Sequence, residues 1–63
     1  MLEDIYYFVM QTYKGQVFAH GPYKTRAAAE RRRDKVQGGE IVVYQTFTPD
    51  PQQAIRDFKL EGL

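Results

Sequence analysis

The chain has 63 residues, no cysteine and a formal net charge of +1. That length allows one domain, residues 1–63, and at this size only about 60% of the unfolded surface is buried. Neither a disulfide nor a thiolate metal site can staple it, so stability rests on packing among five tyrosines and four phenylalanines, or on a homodimer that completes the core.

The apolar and aromatic content argues against disorder. No run approaches the roughly 20 apolar residues that span a bilayer, so no membrane partner is expected. The start, Met1-Leu2-Glu3-Asp4, is acidic and lacks a signal peptide's basic region. A cytoplasmic location is the expectation. Serine is absent along with cysteine, which excludes the common acyl-transfer triads. His20 is the only histidine, and no carboxylate lies near it in sequence to complete a zinc site. The chain reads as non-enzymatic, with no metal and no cofactor. Glu3 and Asp4 read as a terminus, not a catalytic pair.

Residues 5–13 are β-branched and aromatic without helical spacing, and read as a strand. Tyr6, Phe8 and Met10 fall on one face, Ile5, Tyr7 and Val9 on the other, so the strand is expected to be central. Lys14-Gly15 is a two-residue turn, and Gln16–His20 returns as a second strand. Gly21-Pro22 breaks the pattern. Thr25 is the predicted N-cap of a helix over Arg26–Gln37, ended by Gly38-Gly39. Glu40–Thr48 is a third strand, stopped by Pro49. Asp50 is the N-cap of a second helix, with Pro51 at its first position and Gln53 able to close a capping box. Ala54, Ile55 and Phe58 form its apolar face.

The order ββαβα defines a small α+β domain. A right-handed crossover makes strands 2 and 3 parallel. The economical sheet is three-stranded and mainly antiparallel, in the order 2-1-3, packed with two short helices. The second helix either joins the first or covers the other face. In the former case a bare aromatic face needs a partner.

The charge is divided unevenly. Lys14, Lys24, Arg26, Arg31, Arg32, Arg33 and Lys35 face only Glu30 and Asp34 over residues 14–37. The remainder is acidic: Arg56 and Lys59 against Glu3, Asp4, Glu40, Asp50, Asp57 and Glu61. Such asymmetry bears on partners, not on fold. One reading is a solvated helix face, with basic residues complementing the helix dipole, Glu30 pairing with Arg26 and Arg33, and Asp34 with Arg31. The other is a patch for phosphates or an acidic protein, which gives salt-dependent affinity with little sequence information. Its binding residues are Arg26, Arg31, Arg33 and Lys35, with Lys14 and Lys24 extending it, and His20 too if the hairpin lies near the helix N-terminus. Helical spacing points Arg32 inward, its stem against the sheet. The tyrosines read either as core and subunit contacts or as a stacking surface, with Tyr7, Tyr13 and Tyr44 as possible contacts.

The run Val17-Phe18-Ala19-His20-Gly21-Pro22-Tyr23-Lys24-Thr25-Arg26-Ala27-Ala28-Ala29-Glu30 resembles the second half of SPOR domains. There a strand ends in Gly-Pro-aromatic and a helix opens with Thr/Ser-Arg and an Ala-Glu pattern. The strand–helix–strand order up to Tyr44 is similar too. The resemblance implies a local strand–turn–helix fold and binding of peptidoglycan glycan strands. The residues themselves lead first to a binding module whose basic helix contacts nucleic acid or an acidic protein. A protein-interaction adaptor or inhibitor of phage or mobile-element type, acting through an aromatic sheet face, is the second expectation.

Overall fold

The computed structural model of the chain describes residues 4–61. Their elements run β1 (Tyr6–Tyr13), β2 (Gln16–Tyr23), α1 (Arg26–Arg33), β3 (Glu40–Thr46) and α2 (Pro51–Glu61). Both neighbours of β1 are antiparallel to it, in the order β2-β1-β3. The expected α+β fold and sheet order are therefore present.

The central place of β1 follows from its side chains. Phe8, Val9 and Met10 are consecutive and all fully buried. Successive residues of a strand point to opposite faces, so both faces of β1 must be covered. Phe8 and Met10 form a core with Ala54 of α2, flanked by Tyr6, Val17, Ala19, Tyr44, Ile55 and Phe58. On the other face lie Tyr7, Val9, Gln11 and Tyr13, and α1 packs there. Its Arg26 sits over the Tyr7 ring, and Gln11 bonds the segment that follows the helix. Ala29 is the fully buried residue of α1. Its small side chain lets the helix lie close to the sheet. The two helices thus take opposite faces and leave neither bare.

The turns obey their residues. Lys14 and Gly15 both have positive φ, 51° and 78°, as a two-residue hairpin turn requires. Thr25 is extended and its Oγ1 accepts the Ala28 N–H at 3.2 Å. Asp50 Oδ1 accepts the Gln52 N–H at 3.0 Å, with Pro51 opening the helix. Gln53 does not close a capping box; its Nε2 donates to Asp57 Oδ1 at 2.9 Å.

Four boundaries differ from the sequence expectation. Residue 5 precedes β1, which opens at Tyr6. β2 continues through Gly21-Pro22 to Tyr23, because a register shift between Tyr7 and Val9 absorbs an extra residue there. A bulge on an edge strand accommodates a proline that donates no ladder bond. β3 ends at Thr46; Thr46 Oγ1 and Thr48 Oγ1 then accept the N–H groups of Thr48 and Asp50 and turn the chain into α2. α1 ends at Arg33, not Gln37. The Lys35 N–H bonds the Arg32 carbonyl, and Val36 bonds those of Arg32 and Arg33. Gln11 Nε2 then holds the Gln37 and Gly38 carbonyls at 2.8 and 3.0 Å, outside any helix.

Candidate anion-binding surface

The basic residues are carried by α1 and its flanks. Lys24, Arg26, Arg31, Arg32, Arg33 and Lys35 are all exposed. Arg32 corrects an expectation: it faces solvent instead of packing inward. The helix has only eight residues, and its inward contact is concentrated on Ala29, with Ala28 and Glu30 half-buried beside it. Val36 reaches the protein from the turn after the helix, so no continuous stripe draws Arg32 in.

The candidate residues fall into two groups. Lys24 and Arg26 stand at the N-terminal end of α1, where the Arg26 guanidinium carbon lies 5.8 Å from the Tyr7 ring centre. Arg31, Arg33 and Lys35 stand at the other end. The hairpin tip lies on that second side, because Gly38 and Gly39 abut Tyr13 and Thr12. Lys14 therefore extends the C-terminal group, with Nζ 5.2 Å from the Tyr13 ring centre. At 1.5 Å per residue the two groups are roughly 10 Å apart, about one Debye length in moderate salt. They act within one electrostatic field.

Little neutralises this charge. Neither Glu30–Arg26, Glu30–Arg33 nor Asp34–Arg31 forms. Among the described residues the one ion pair is Arg33 Nε to Asp34 Oδ1, at 3.8 Å between exposed side chains, a geometry worth little. The last turn of α1 carries Arg31, Arg32 and Arg33, which suits the dipole. Dipole complementation does not remove their charge from the surface.

His20 does not belong to the patch. It is half-buried, its Nε2 lies 3.1 Å from Gln11 Oε1, and it completes the clamp that Gln11 makes with the α1–β3 connection. Asp4 is exposed, and Glu3 lies outside the described residues.

The three tyrosines do not form one platform. Tyr7 and Tyr13 share the α1 face. Tyr44 lies on the α2 face, edge-to-face with Phe58 at 5.4 Å and 73°. Desolvation pushes the Tyr44 hydroxyl up to about 12, helped by a hydrogen bond to Glu61 and by the charges of Glu61 and Asp57. Phe18 was missed as a contact candidate. It pairs with Gln11 and so shares the face of Tyr13; both are exposed, at 44% and 43%. Its place in a short strand beside a turn is the sequence signal that could have marked it. Tyr13, Phe18 and Lys14 thus add exposed rings to the C-terminal basic group.

Two concavities lie elsewhere on the described residues, neither lined by an α1 side chain. One, of about 250 Å³, is lined by Asp4, Ile5, Tyr6 and Lys24. The other is an open cleft of about 430 Å³ between the end of β3 and α2. Among the described residues no group of three or more histidines, cysteines or carboxylates is placed to hold a metal. Among the described residues no helix is long and apolar enough to cross a membrane. Comparison with family models, curated proteins and solved structures finds no match for this chain.

Proposed function

We propose that this chain is a small non-enzymatic binding module that engages a polyanion through α1. The observation that carries this reading is the unneutralised charge. Six exposed basic residues between Lys24 and Lys35 share one intrachain pair among the described residues. Nucleic acid is the favoured partner over an acidic protein surface, because Tyr13 and Phe18 expose rings beside Lys14 and the end of the helix. Bases stack on such rings without regard to sequence, while basic side chains follow the backbone. The surface consists of basic side chains and exposed rings, so affinity is expected to be electrostatic and sequence-tolerant.

Fluorescence anisotropy with labelled single-stranded and duplex oligonucleotides, across a salt titration, tests this. The logarithm of the association constant should fall linearly with the logarithm of salt, by about 0.7 per neutralised phosphate on single strands. Mutating Tyr13 or Phe18 to Ala should weaken single-strand binding more than duplex binding. Absence of binding to any oligonucleotide at low salt, with binding to an acidic protein retained, assigns the patch to protein. Absence of both refutes it.

A further inference from the structure

The sheet has two edges, and the sequence treats them differently. An edge strand presents unpaired N–H and C=O groups, a template for further pairing unless charge, proline or a bulge interrupts it. β2 carries such interruptions: its register shifts between Tyr7 and Val9, and Gly21-Pro22 lies within it. β3 carries none from Ile41 to Thr46; its one charged residue, Glu40, stands at the start. The run Ile-Val-Val-Tyr-Gln-Thr has neither proline nor glycine and is dominated by residues that favour strands.

Apolar surface adjoins this same edge. α2 packs mainly over β2 and β1. Val42 is 43% exposed, Phe47 61% and Leu60 68%. Phe47 and Leu60 border the open cleft together with Tyr44.

We infer that β3 is a self-pairing edge, and that a second copy of this chain docks on it. The two β3 strands run antiparallel across a two-fold axis and join the sheets into one of six strands. A two-fold axis normal to a sheet generates antiparallel pairing, so a single surface serves both copies. With Val43 on the axis, Val42 of each copy lies opposite Tyr44 of the other. Val42 and Tyr44 pair with Met10 and Phe8 across β1–β3, so both lie on the α2 face. Two equivalent branched–aromatic pairs therefore form at once, the type of cross-strand contact that stabilises sheets. This self-complementarity argues for a second copy over an unrelated strand. The monomer also has reason to extend its core, because among the described residues the fully buried hydrophobic ones are only Phe8, Val9, Met10, Ala29 and Ala54. A net charge of +1 sets little long-range repulsion between copies.

The test uses the full chain in sedimentation equilibrium, with isotope-filtered NMR on a mixture of labelled and unlabelled copies. The wild type should show twice the 7.4 kDa mass of the chain at high micromolar concentration. Cross-copy contacts should connect β3 to β3. Val42→Lys places a charge at an exposed edge position and should give the monomer mass with an unchanged circular dichroism spectrum. Val42→Thr, branched and uncharged, should keep the dimer. A wild type that stays monomeric into the millimolar range overturns the inference. So does a dimer whose cross-copy contacts lie away from β3, or a folded V42K chain that remains dimeric. The NMR result on the wild type decides even where V42K fails to fold.

Discussion

Gly15 and Gly39 share a left-handed backbone, with φ of +78° and +72°, but not a neighbourhood. A Cβ on Gly15 would meet nothing within 4 Å; on Gly39 it would collide with the Thr12 carbonyl and come within 3.1 Å of Tyr13 Cα. Gly15→Ala therefore costs only the conformational term, about 1–2 kcal/mol. Gly39→Ala costs that and the displacement of β3 from β1, a further 1–3 kcal/mol or so if the overlap behaves like overpacking. The expected loss is about 2–5 kcal/mol, against a total stability of roughly 3–9 kcal/mol for a chain of this length. Urea denaturation of both variants, followed by circular dichroism, measures the difference. Gly39→Ala should lower the urea midpoint clearly further than Gly15→Ala, by the share that the collision with Thr12 adds. Equal losses for the two would refute the close approach of Gly39 to Thr12. They would also remove the argument that sets the end of α1 beside Tyr13 and Lys14.

Phe8→Ala removes a fully buried ring from the shared core of β1 and α2; a loss of about 3–5 kcal/mol is expected, read as a large drop of the urea midpoint in the same assay. Tyr44 supplies a pH dependence. Its hydroxyl is raised from 10.0 to about 12 in the folded chain, so the unfolded chain loses this proton first and stability should fall as pH rises from 10 towards 12. Thermal melts of wild type and Tyr44→Phe across that window check it, and an equal decline in both would assign the effect elsewhere. Arg32→Glu should change stability by under about 0.5 kcal/mol, because the side chain is exposed; a large loss would return its stem to the sheet.

The elements were legible where local chemistry decides them. Lys14-Gly15, Thr25 and Asp50 act through neighbouring backbone groups, so their roles are written in a few consecutive residues. The apolar run on both faces of β1 placed it in the centre for the same reason. What remained illegible depends on contacts between distant segments. Gln11 captures the Gln37 and Gly38 carbonyls across 26 and 27 residues, and helical spacing alone cannot show that α1 stops before that clamp. The inward assignment of Arg32 failed with it. Gly21-Pro22 looked like a strand breaker because its register shift exists only in relation to β1. Of the candidate site, the charge was plain in composition. Its division into two groups, the placement of Lys14 with the C-terminal one, and the separation of Tyr44 from Tyr7 and Tyr13 needed the sheet register.

The measurement closest to the central claim compares wild type with the double variant Arg31→Glu/Arg33→Glu in a salt-titrated oligonucleotide anisotropy assay. Both side chains are exposed, so the fold should persist, with a stability change near 0.5 kcal/mol or less per site. If α1 is the contact surface, affinity at low salt collapses, and any residual binding shows a salt slope shallower by about 1.4 on single strands, the share of two lost phosphate contacts. A folded variant that binds with wild-type affinity and wild-type salt slope contradicts the claim that α1 engages the polyanion.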